Sequence, residues 1–71
     1  MVGMIAIQFQ GDDLIILKNS QRKVVDLKFV SSKLLVASET ERDLYKFSPS
    51  GYGIHWPLID EDLSVEKLLK N

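Results

Sequence analysis

The stretch Tyr52-Gly53-Ile54-His55-Trp56-Pro57-Leu58-Ile59-Asp60-Glu61-Asp62-Leu63-Ser64-Val65-Glu66-Lys67-Leu68-Leu69 decides how this chain is to be read. It holds the only Trp, the only His, one of the two Pro and a run of three carboxylates. Tyr52, Ile54 and Trp56 share one parity and Gly53 and His55 the other, which is the period of a β-strand. Pro57 has no N–H to give to a ladder and ends that strand. Further on, Ser64 stands as the N-cap of a short closing helix, with Leu63 and Leu68 placed as a hydrophobic staple. Asp60-Glu61-Asp62 then falls just before a helix N-terminus, where the helix dipole favours negative charge. A strand, a stop, an acidic approach and a capped helix account for the rare residue types without a reaction.

The period of two recurs upstream. Ile5, Ile7 and Phe9 face one way and Met4, Ala6 and Gln8 the other, giving a strand over Met4–Phe9. Gly11-Asp12 is a turn pair that tolerates positive φ. Leu14-Ile15-Ile16-Leu17 is apolar at both parities and suits a central strand covered on each side. After the polar turn Lys18–Arg22, Lys23–Leu27 reads as a third strand, so the first part of the chain is an antiparallel meander. The period then changes. Val30, Leu34 and Ala37, with Phe29 and Leu35 beside them, fit one helical face. Ser38-Glu39-Thr40-Glu41 has the form of a capping box and opens a second short helix through about Leu44. Tyr45–Ser48 alternates again, Tyr45 and Phe47 are expected to join the same core, and Pro49-Ser50-Gly51 forms a tight turn. The predicted order is β-β-β-α-α-β-β-α: an α+β fold, mainly an antiparallel sheet of about five strands with short helices packed on one face.

Length and composition narrow the function. With 71 residues the chain is one small domain over residues 1–71, and without Cys it has neither disulfides nor thiolate ligands to staple it. Association is the remaining aid to stability, so a homodimer or a complex with another protein is expected. A hydrophobic share of 45% with nine basic and ten acidic side chains describes an ordered globular domain. A net charge of -1, with Arg22-Lys23 the only adjacent basic pair, argues against binding a nucleic-acid backbone. Met1–Ile7 lacks a basic leader, Val2 breaks the myristoylation motif, and no apolar run approaches the ~20 residues of a membrane span. The cytosol is the default location.

Each candidate site competes with a plainer role. His55 could bind metal or act as a base, but with no second His and no Cys the donor set is unusual for zinc. A half-exposed strand His, packed on Gly53 or the next strand, is the simpler account. Asp60, Glu61 and Asp62 could hold a hard cation, yet they lack the alternate ligand spacing and turn Gly of a calcium loop. They serve equally as helix-capping charge or as an acidic patch for a basic partner. Trp56 is either a core anchor or an exposed hot spot, and its alternation with Tyr52 and Ile54 favours burial. No phosphate loop, Ser-His-Asp arrangement, HExxH helix or nucleophile elbow is present, and no cofactor is implied.

Gly51-Tyr52-Gly53-Ile54-His55-Trp56-Pro57, followed by Ile59-Asp60-Glu61-Asp62-Leu63-Ser64-Val65 and Leu68-Leu69, resembles the signature of the bacterial family called domain of unknown function 2442. The likeness is looser over Leu14–Leu17, Val24–Leu27 and Lys33–Arg42. The chain departs from the family at Asn19-Ser20-Gln21, where an Asp-Gly turn is common, and at Ser32, where a Pro is common. The resemblance implies a small α+β domain without established biochemistry. It also implies, for stand-alone members, one half of a two-gene pair similar to a toxin–antitoxin module. The resulting expectation is a non-enzymatic interaction module whose partner is the product of a neighbouring gene. Tyr52, His55, Trp56, Asp60, Glu61 and Asp62 are its candidate contacts. The alternatives are a small metal- or ligand-dependent enzyme using His55 with Asp60–Asp62, and a nucleic-acid regulatory protein.

Overall fold

A computed structural model describes residues 5–49 and 52–70. Met4, expected to begin the first strand, and Ser50 and Gly51 of the expected tight turn lie outside the described residues. The elements are β1 (Ile5–Gln10), β2 (Asp13–Lys18), β3 (Gln21–Asp26), α1 (Leu27–Val30), α2 (Ser32–Leu35), α3 (Glu39–Asp43), β4 (Lys46–Phe47), β5 (Gly53–Trp56), β6 (Glu61–Ser64) and α4 (Val65–Lys70). They form two antiparallel three-stranded sheets, β1-β2-β3 and β4-β5-β6. The α+β class and the mainly antiparallel sheet hold. One more middle helix and one more strand are present than the sequence suggested, and the strands divide between two sheets.

The first sheet follows from two short turns. Gln10 pairs with Asp13 and Lys18 with Gln21, leaving Gly11-Asp12 and Asn19-Ser20 as two-residue connections. Gly11 (φ 60°) and Asn19 (φ 55°) take positive φ at the first central position, as hairpin turns of the primed type require. Asn is the residue besides Gly that best tolerates this conformation. The hairpin at Asn19 is therefore tight, and β2 and β3 run further into the polar segment than its composition suggested. β2 is the central strand, as expected. However, Leu14 and Ile16 enter the main core while Ile15 is buried on the opposite face among its cross-strand neighbours Gln8 and Val24, outside that core.

The expected helix around Val30–Ala37 is split at Ser31. Asp26 Oδ1 accepts from the Lys28 N–H and starts α1 directly after β3, so Leu27 is helical and fully buried. Ser31 ends α1 and caps α2, its Oγ accepting from the Leu34 N–H at 3.1 Å. Ser32 is then the first helical residue, the one position in a helix where Pro is favoured. Phe29, placed beside the apolar face by its spacing, is instead 84% exposed, because a single turn anchored by Leu27 carries it outward. The capping box of α3 is formed: Ser38 Oγ accepts from the Glu41 N–H and Glu41 Oε1 from the Ser38 N–H.

One core joins the sheets. Leu14 and Ile16 of β2, Leu27 of α1, Leu34 of α2, Ile54 and Trp56 of β5, and Val65 and Leu68 of α4 form a single buried cluster. Trp56 bridges the two sheets, with edge-on contact to Phe9 (centroids 6.3 Å apart) and a tilted contact to Tyr45 (6.1 Å). Tyr45 packs on this core, but Phe47 stays at its margin, 37% exposed, with its ring perpendicular to Tyr45.

Candidate functional site

The outer face of the second sheet is built by register. Lys46, His55 and Asp62 lie opposite one another across β4, β5 and β6, and Gly53 lies opposite Ser64. The intervening pairs, Phe47 with Ile54 and Ile54 with Leu63, turn to the other side. Nδ1 of His55 lies 2.8 Å from Oδ1 of Asp62, so its N–H donates to the carboxylate in that tautomer. Both side chains are open to water, 42% and 76% exposed, and such a cross-strand pair is worth at most about 1 kcal/mol. Its geometric effect is to fix the imidazole against the strand.

Beside this row lies an open groove of about 730 Å³, lined among others by Phe29, Val30, Tyr52, Asp62, Leu63 and Lys67. A smaller depression of about 210 Å³, reaching Lys46, Phe47 and His55, shares Ser48, Gly53, Asp62 and Leu63 with it, so the two are one continuous surface. Tyr52 is fixed on its main-chain side, because its carbonyl accepts from the Val65 N–H at 2.7 Å. The residue is 54% exposed and its ring centroid lies 5.8 Å from the Lys18 ammonium. The groove is therefore lined by apolar residues, two of them exposed aromatics, and by opposite charges, Asp62 and Lys67.

Three of the six candidate contacts meet here: Tyr52, His55 and Asp62. The other three do not. Trp56 is fully buried, with its Nε1 donating to the Arg42 carbonyl at 3.0 Å, so it anchors the core and offers nothing to a partner. The acidic run is no continuous patch and no helix approach, because β6 intervenes before α4. Asp60 ends the β5–β6 turn with φ at 51°, its carbonyl held by Lys33 Nζ at 3.0 Å. Glu61 points inward, where Oε2 accepts from the buried Ser31 hydroxyl. Strand alternation then sends Asp62 outward to His55. Ser64 does cap α4, its Oγ accepting from the Lys67 N–H at 3.3 Å.

Phe29 and Lys67 line this groove and are not among the contacts expected from the sequence. Phe29 gave one signal: a large aromatic that falls off the Val30, Leu34, Ala37 spacing. Among the described residues, no group of three or more His, Asp or Glu side chains is placed to hold a metal ion, so His55 and the three carboxylates do not assemble one donor set. Also among the described residues, no helix is long and apolar enough to cross a membrane.

The family model described as "Protein of unknown function (DUF2442)" matches residues 4–71, nearly the whole chain. No curated protein and no solved structure matches it.

Proposed function

This chain belongs to the DUF2442 family, and from that premise we propose that it is a non-enzymatic protein-interaction module, the antitoxin-like member of a two-gene pair. The observation that carries the reading is the pair of aromatic rings, Phe29 at 84% and Tyr52 at 54% exposure, on one open groove. A small domain that keeps two such rings in water at one groove forgoes the burial that its core could use. Aromatic side chains are also the groups most enriched at the centres of protein interfaces. The occupant is a segment of the neighbouring gene's product. It places an apolar side chain between the rings, a basic group near Asp62 and an acidic group near Lys67. Asp62 replaces the three-carboxylate patch as the charge that steers association.

Co-expression with that gene product, followed by co-purification, tests the reading. Phe29→Ser combined with Tyr52→Ser is expected to keep the melting temperature within a few degrees and to weaken the complex by about 30-fold or more, the size of a lost hot spot. Asp60→Asn keeps the left-handed turn residue and is expected to leave the complex intact. A double variant that co-purifies as well as the native chain would overturn the proposal, as would a native chain that captures no such partner.

A further inference from the structure

Of the edge strands among the described residues, β1 is the one left unguarded. β4 has two residues, β3 carries Arg22, Lys23 and Asp26, and β6 carries Glu61 and Asp62. Shortness and charge are the usual means of keeping an edge from pairing with another chain. β1, Ile-Ala-Ile-Gln-Phe-Gln over residues 5–10, is six residues long with no charge and no Pro. Its backbone is also available. The two-residue turn at Gly11-Asp12 makes Gln10–Asp13 a hydrogen-bonded pair, and alternation then directs the N–H and C=O of Gln10, Gln8 and Ala6 to β2. The same groups of Phe9, Ile7 and Ile5 point away from β2. No hydrogen bond reaches them among the described residues.

A groove of about 390 Å³ lies along this edge, lined by Ile7, Phe9, Glu39, Arg42, Asp43 and Tyr45 with two others. Its cation is committed. The Arg42 guanidinium donates to the carbonyls of Gly11 (2.7 Å), Leu34 (3.0 Å) and Leu35 (3.1 Å). Glu39 and Asp43 are exposed and have no ion-pair partner among the described residues. Among the described residues the groove thus combines main-chain groups that no hydrogen bond reaches with two carboxylates that have no ion-pair partner.

We propose that this edge accepts an extended segment of another protein by strand addition, the segment pairing with β1 and presenting a Lys or Arg to Glu39 and Asp43. A second copy of β1 does not fit this description, because residues 5–10 bring no basic side chain to the carboxylates. The surface is separate from the Phe29–Tyr52 groove, and its test is independent of the outcome there.

Panning a random decapeptide display library on the immobilised protein is expected to enrich peptides with β-branched residues at alternate positions and Lys or Arg among them. A synthetic peptide of the enriched sequence should slow amide exchange at Ile7 and Phe9. N-methylation at alternate peptide amides should abolish its binding. Glu39→Gln with Asp43→Asn should weaken it about tenfold, the effect of removing two exposed charge pairs, with the melting temperature reported alongside to show that the variant is folded. Enrichment without basic residues, or binding that leaves Ile7 and Phe9 exchange unchanged, would overturn the proposal. So would protection of Ile7 and Phe9 that rises with protein concentration in the absence of peptide, which would make the occupant a second copy.

Discussion

Arg42 does more structural work than any other charged side chain described. Its guanidinium stacks 5.2 Å from the centroid of the Phe9 ring while donating to the carbonyls of Gly11, Leu34 and Leu35. Its own carbonyl accepts from the Trp56 indole. α3 has no buried residue of its own, so this one side chain ties it to the first hairpin and to the end of α2. A Lys retains the charge but cannot reach three carbonyls in a planar fork. Arg42→Lys is therefore expected to cost about 2–4 kcal/mol, since hydrogen bonds to charged groups are worth roughly 1.5–3 kcal/mol each and do not add fully. The midpoint of urea unfolding checks it. None of this was legible in the sequence, where Arg42 reads as one more polar residue on a short helix. Its partners are main-chain groups up to 31 residues away, which no side-chain period can reveal. Trp56 was legible, because parity with Ile54 placed it on an apolar face. Tyr52 shared that parity and yet stayed outside, because it precedes β5 and its strand neighbours do not cover it.

At the scale of elements, Ser31 is the joint on which the middle of the chain turns. It closes α1, caps α2 and donates to Glu61 of β6, so two single-turn helices and the second sheet meet at one hydroxyl. This explains why the Val30–Ala37 periodicity suggested one helix: both turns face the same core, and the break between them falls on a small polar residue. Ser32 begins α2, its N–H donates no hydrogen bond, and Ser31 before it is extended (φ -157°, ψ 107°). These are the conditions under which Pro is accepted. Ser32→Pro is expected to stabilise the protein by about 0.4–1 kcal/mol by restricting the unfolded chain, read as a rise in melting temperature. A drop would contradict the assignment of the α2 start. β6 escaped the sequence reading for a related reason. Its alternation is genuine, with Glu61 and Leu63 inward and Asp62 and Ser64 outward, but the inward Glu61 hides it. A carboxylate on a core-facing position is readable only once its partner, Ser31, is known.

For the whole molecule, the decisive fact is that two sheets of three strands share one core. Leu14 and Ile16 come from one sheet, Ile54 and Trp56 from the other, and Leu27, Leu34, Val65 and Leu68 from three helices, so neither sheet has an apolar face it could bury alone. Unfolding is accordingly expected as one cooperative transition. Emission of the sole Trp and far-ultraviolet circular dichroism should share one midpoint, and two separated midpoints would contradict the shared core. Burying these residues leaves Phe29 and Tyr52 as exposed aromatic rings at one groove, and the functional account depends on them. The most direct test is to map amide chemical-shift changes in the isotopically labelled protein as the neighbouring gene's product is added. The largest changes are predicted at Phe29, Val30, Tyr52, Asp62, Ser64 and Lys67. Changes confined to the turn from Leu58 to Asp60, with those residues unmoved, would contradict the account.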